Sequence, residues 1–158
     1  MSAIAPLLVI GIGNPSRGDD AVGPLLAERL QRWLAEHAID HVEVLSDFQL
    51  NIEQVLDLAG RQRVLFIDAS VNSATPFACE RVSAIDSSHY STHSVLPQQL
   101  LALYQRLMQQ PAPPTELLTI QGEAFELGQP PSDMAQAGMA AAWPFLCQWC
   151  TGTHRTIV

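Results

Sequence analysis

Pro6-Leu7-Leu8-Val9-Ile10-Gly11-Ile12-Gly13 is the stretch that decides the fold. It is apolar without a break and ends on glycines. A strand with one face in water alternates apolar and polar residues, whereas a short unbroken run fits a strand buried on both faces. The next segment, Ala21 to His37, has helical spacing, with Val22, Leu25, Leu26, Leu30, Trp33 and Leu34 on one stripe. His41 to Leu45 reads as a second strand and Ile52 to Leu58 as a short helix. Arg63 to Ala69 (RVLFIDA) repeats the buried pattern of the first run and carries an aspartate near its end. Phe77 to Ile85 is more polar, as an edge strand often is. Leu96 to Met108 is an amphipathic helix entered through Pro97, Gln109 to Pro114 a loop, and Glu116 to Gln121 a fifth strand. Ser132 to Cys150 is an Ala- and Met-rich last helix, which Pro144 is expected to kink or break.

Strands alternating with helices predict an α/β chain with three layers around a mostly parallel sheet. No two strands are joined by a two-residue turn, and no repeat, low-complexity tract or linker interrupts the pattern, so residues 1–158 read as a single domain. That length supports a core without disulfides. The cysteines, Cys79, Cys147 and Cys150, are odd in number and lack framework spacing. Cys147-Gln-Trp-Cys150 has no second pair to complete a zinc site and reads as two small hydrophobes on the last helix. The formal net charge of −8 repels phosphate backbones and argues against nucleic acid as a partner. No positive segment precedes the first apolar run, no small-residue cleavage site follows it, and no apolar stretch spans a bilayer. The expectation is a cytoplasmic chain with no membrane partner.

In open α/β sheets, ligands bind outside the carboxyl ends of the strands. Three polar clusters fall there: Gly13-Asn14-Pro15-Ser16-Arg17-Gly18-Asp19-Asp20, Asp68-Ala69-Ser70 and His89-Tyr90-Ser91-Thr92-His93. Gly11-Ile12-Gly13 resembles the opening of a dinucleotide fingerprint, but Ser16 stands where its last glycine belongs. Asp19 and Asp20 lie where a pyrophosphate needs donors, so no nucleotide is expected. One acid of that pair is expected to cap the helix behind it, with Asp19 the better candidate. Asp68 follows four apolar residues, so it is either a partly desolvated site carboxylate or a turn aspartate capping the next segment. His93 is one of five histidines. Two carboxylates and one imidazole make a borderline-metal donor set, suited to nickel or zinc better than calcium. A phosphoacceptor receiver domain also uses acids after strands one and three but requires a lysine. All eight basic residues here are Arg, which excludes a P-loop as well.

The motifs together resemble those of the hydrogenase maturation endopeptidases: Gly11-Ile12-Gly13-Asn14, then Gly18-Asp19-Asp20 and Gly23; Val64-Leu65-Phe66-Ile67-Asp68-Ala69; Ser91-Thr92-His93-Ser94; Thr119-Ile120-Gln121-Gly122; and Gly128-Gln129-Pro130-Pro131-Ser132. The resemblance covers nearly the whole chain in order. It implies a five-stranded twisted mixed sheet between helices, phosphorylase/hydrolase-like, with one strand antiparallel. Matched residue by residue, it implies a catalytic and metal-binding site of Asp20, Asp68 and His93; several members carry Glu at the position of Asp20. It further implies cleavage of the C-terminal extension of a nickel-iron hydrogenase large-subunit precursor, with the nickel supplied by that substrate. We expect a monomer. The alternative is a nickel-site chaperone that holds the same subunit and cuts nothing. One stretch departs from the family pattern. Well-known members carry an Asp-Gly-Gly-Thr type stretch after strand two, and here Ser46-Asp47-Phe48-Gln49-Leu50 stands in its place. Asp47 is positioned to stand in for that acid. Phe48 and Leu50 either pack under the next helix or touch a particular large subunit, such as that of an NAD-linked soluble hydrogenase.

Overall fold

The computed structural model describes residues 3–73, 76–85 and 95–152. Its five strands are β1 (Leu7–Ile12), β2 (Val42–Asp47), β3 (Arg63–Ser70), β4 (Phe77–Val82) and β5 (Thr115–Gln121). They form one sheet in the order β2-β1-β3-β5-β4. β1 pairs in parallel with β2 and β3, β3 in parallel with β5, and β4 runs antiparallel to β5 at the outer edge. The sheet is therefore mixed with one antiparallel edge strand, as expected. Both neighbours of β1 are strands, and all six of its residues are buried.

Helices cover both faces. On one, α1 (Val22–Glu36) and α4 (Asp133–Thr151) pack on Leu7, Val9, Leu65, Ile67, Leu118 and Ile120. On the other, α2 (Val55–Leu58) and α3 (Pro97–Met108) pack on Leu8, Ile10, Ile12, Val64 and Phe66. Successive strand residues point to opposite faces, so two apolar layers require the unbroken apolar runs seen in the sequence. α1 lies directly on the strands. A Cβ on Gly11 would sit 2.3 Å from the Gly23 carbonyl oxygen, and one on Gly23 only 2.4 Å from that of Ile12. Here Gly11 serves close helix–strand packing.

Several expectations are corrected. α4 is not broken: it runs through Pro144 to Thr151. The missing Pro144 N–H would have bonded the Ala140 carbonyl, and both residues are exposed, so water can take that acceptor. The segment expected as one helix over 52–58 is a 3₁₀ turn, Ile52–Gln54, followed by the single turn of α2. The chain leaves it in extended conformation at Ala59 and reverses at Gly60 (φ 80°). β4 ends at Val82, short of Ile85. Cys147 and Cys150 do lie on α4, with Cys150 in the core; burial raises both thiol pKa values, that of Cys150 to about 12. Among the described residues no helix is long and apolar enough to cross a membrane.

The loop after β2 divides its two apolar residues. Leu50 is 2% exposed and packs with Val55 and Leu58, whereas Phe48 is 63% exposed. Leu50→Ala is therefore expected to cost about 2–4 kcal/mol of stability. Phe48→Ala should stay within about 0.5 kcal/mol. Urea midpoints of the two variants check both values.

Candidate active site at the carboxyl ends of the strands

From β1 the chain passes to β2 on one side, and then back across to β3 on the other. Such a reversal opens a crevice between the carboxyl ends of the two central strands, where open α/β sheets bind ligands. The loop after β1 enters it at Gly13, whose φ of 143° is accessible to glycine and rarely to other residues. A Cβ there would meet the Asp20 carbonyl oxygen at 1.9 Å. Glycine thus lets the 3₁₀ turn Gly18–Ala21 fold back against the end of β1. The Asn14 N–H donates to Asp20 Oδ2 at 2.7 Å and fixes that half-buried carboxylate at the mouth of the crevice.

Asp68 lies inside β3, two residues before its end, so it is a strand residue and not a turn cap. Its Oδ1 accepts the Ala69 N–H at 2.8 Å. Burial pushes its pKa up to about 7, the Ala69 hydrogen bond draws it down, and the charge of Asp20 pushes it up again. The two carboxylates are therefore near enough to interact. One of them can take or give a proton near neutral pH, which is the property required of a general base.

Asp19 does not cap α1. It is fully buried, and its carboxylate accepts four hydrogen bonds: from the N–H groups of Glu123 (2.8 Å), Ala124 (3.0 Å) and Ser132 (2.6 Å), and from the Ser132 hydroxyl (2.7 Å). Burial works to raise its pKa, but these donors outweigh it and the pKa is lowered. Ser132 Oγ in turn accepts the Ala135 N–H at the start of α4. The same two loops are joined by Gly18 N–H to Gln129 O (2.9 Å), Asp19 N–H to Ala124 O (2.7 Å) and Gly128 N–H to Ser16 O (2.7 Å). Asp19 thus ties the loop carrying Asp20 to the segment between β5 and α4. Local sequence signals a helix cap at this position, because the true partners are more than a hundred residues away.

Asp47 ends β2, next to β1. Its Oδ1 accepts the Phe48 N–H at 2.8 Å and its Oδ2 accepts from Gln54 Nε2 at 3.2 Å, so the carboxylate holds its own loop. His93 and His89 lie outside the described residues. Among the described residues no three His, Cys, Asp or Glu side chains form a metal-holding group. The donors brought together there are the two carboxylates, Asp20 and Asp68.

No family model and no curated relative matches the chain. Solved structures do. A [NiFe] hydrogenase maturation protease, HycI from Thermococcus kodakarensis KOD1, is similar with a TM-score of 0.71 at 20% identity over 94% of each chain. The hydrogenase maturating endopeptidase HybD from E. coli is similar with a TM-score of 0.70 at 21% identity, over 92% of this chain and 93% of that one. A hydrogenase 3 maturation protease gives 0.62 at 18% identity over 98% of each. At these identities the likeness is one of fold, and it extends over nearly the full length of the chains.

Proposed function

We propose that this chain is an endopeptidase that removes the C-terminal extension of a nickel-iron hydrogenase large-subunit precursor after nickel insertion. The observation that carries this reading is the interacting pair Asp20 and Asp68 at the crevice between β1 and β3, with the Asp68 pKa near 7. The motifs that resemble the hydrogenase maturation endopeptidases, and a fold like that of the HycI and HybD proteases, support it.

Asp20, Asp68 and His93 are the residues that would receive the nickel carried by the substrate. Carboxylates and an imidazole suit a borderline divalent ion. Such an ion polarises a carbonyl or lowers the pKa of an attacking water. Asp20 holds its carboxylate toward the crevice through the Asn14 N–H. Asp68, whose pKa burial raises to about 7, can instead stay off the ion and act as general base, taking the proton of the attacking water and returning it to the leaving amine. A precursor without nickel would lack the group these residues recognise, so processing reports on metal insertion. The exposed Phe48, beside Asp47, is available for contact with the subunit.

Mass spectrometry of a nickel-loaded large-subunit precursor, incubated with and without this protein, tests the reading. A large subunit shortened at its C-terminus only in the presence of the protein is the expected result. An intact subunit bound to the protein would replace the protease with a chaperone.

A further inference from the structure

Asp68 and Ser70 of β3 pair in register with Thr119 and Gln121 of β5. Strand alternation puts all four on one face, in line with Val64 and Phe66 and beyond the apolar cluster under α2 and α3. Three of these polar side chains have partners. Asp68 accepts the Ala69 N–H, Ser70 Oγ accepts the Asn72 N–H at 3.1 Å, and the Thr119 hydroxyl bonds that of Ser73 at 2.8 Å. Gln121 differs. Its Oε1 is buried with no hydrogen-bond partner, the one side-chain nitrogen or oxygen among the described residues in that condition. Its backbone is tied on both sides: the Gln121 N–H is given to Pro76 O at 3.4 Å and the next residue, Gly122, donates to Ser70 O at 3.1 Å. Just beyond, Glu123 and Ala124 are fixed by Asp19.

A buried acceptor without a donor is costly, and in a folded protein it is met by a water, an ion or an incoming ligand. The geometry points to Gln121 as a substrate-binding residue of the site, its Oε1 accepting a main-chain N–H of the peptide segment presented for cleavage. This rests on the endopeptidase reading. A peptide laid across the strand ends offers one N–H per residue other than proline. A neutral amide oxygen can take one of them without adding a third negative charge beside Asp20 and Asp68. The bond would set the register of the chain against the two carboxylates.

Gln121→Met keeps the length of the side chain and removes the acceptor. With the nickel-loaded precursor as substrate, KM should rise roughly tenfold while kcat changes less than about twofold. The free protein should melt higher by about 2–4 °C, because the unpaired oxygen is gone. A merely structural glutamine would instead give a lower Tm. A second arm uses the unsubstituted protein and precursors whose tails carry single amide-to-ester replacements, which delete one N–H at a time. One position near the scissile bond should show the same rise in KM, and Gln121→Met should add nothing to it. An unchanged KM in Gln121→Met, a Tm that falls, or ester and side-chain effects that add independently overturns the assignment. If the unsubstituted protein leaves the precursor uncut, the endopeptidase reading itself fails. Normal cutting with an indifferent Gln121→Met removes this residue's role alone.

Discussion

Asp68→Asn should reduce precursor processing by roughly 10²–10⁴-fold, the range associated with losing a general base, and the free protein should become more stable above neutral pH. An amide keeps the shape of the carboxyl but neither carries the charge nor accepts the proton. The stability gain follows from burial, the main cause of the raised pKa, with the Ala69 hydrogen bond opposing it and Asp20 adding to it. An aspartate with an ordinary pKa of 3.8 in the unfolded chain and about 7 in the folded one binds its proton more tightly when folded. Between those values the folded state holds more protons than the unfolded, so stability falls as pH rises. Below the lower value the effect is absent, and above the upper it is complete. Asp68→Asn escapes it, with a gain on the order of 2 kcal/mol at pH 8, softened by local relaxation around the charge. Thermal melts of both proteins from pH 4 to 8, beside a processing assay, check the pair of outcomes. Curves that run parallel over that range would mean that Asp68 is not desolvated.

Asp19→Ala should lower stability by about 4 kcal/mol. Four donors, three of them backbone N–H groups, would lose their acceptor in a buried place. For a chain of this size, the melting temperature should fall by about 8–16 °C. Processing should fall too, because Asp20 is the next residue on the loop that is released. The pH dependence has the opposite sign to that of Asp68. The Asp19 pKa is lowered in the folded state, so its contribution is present above the unfolded value of 3.8 and is lost as pH falls through the folded value. The gap between the unsubstituted protein and Asp19→Ala should therefore close in strong acid. Differential scanning calorimetry at pH 7 and near pH 2 measures it, and an equal gap at both would deny that a charged Asp19 holds the loops.

The layered fold was legible because β1 and β3 are unbroken apolar runs and only a sheet covered on both faces asks for such runs. The edge position of β4 was legible from its polarity; the family resemblance implied one antiparallel strand without saying which, and the pairing with β5 identifies it as β4. Asp68 stood out because a charge after four core residues is expensive. Three features were hidden for physical reasons. Asp19 looked like a cap because Asp-Asp before a helix is a local signal, whereas its partners are set by tertiary contact. Pro144 looked like a breaker because the sequence does not reveal which face of α4 is wet. Gln121 stood in a motif of the resemblance, but its unpaired oxygen gave no signal, since that is a property of its surroundings and not of the residue.

The link between Asp19 and Ser132 also has a consequence for the order of events during synthesis. The two residues are 113 positions apart. Chains emerge from the ribosome at roughly 5–20 residues per second, so several seconds separate the acid from its donors. During that interval the strand pair β1 and β2 can form, but the loop bearing Asp20 lacks its ties to the segment between β5 and α4. The loop bearing Asp20 therefore reaches its final anchorage only after β5 and the start of α4 have been made.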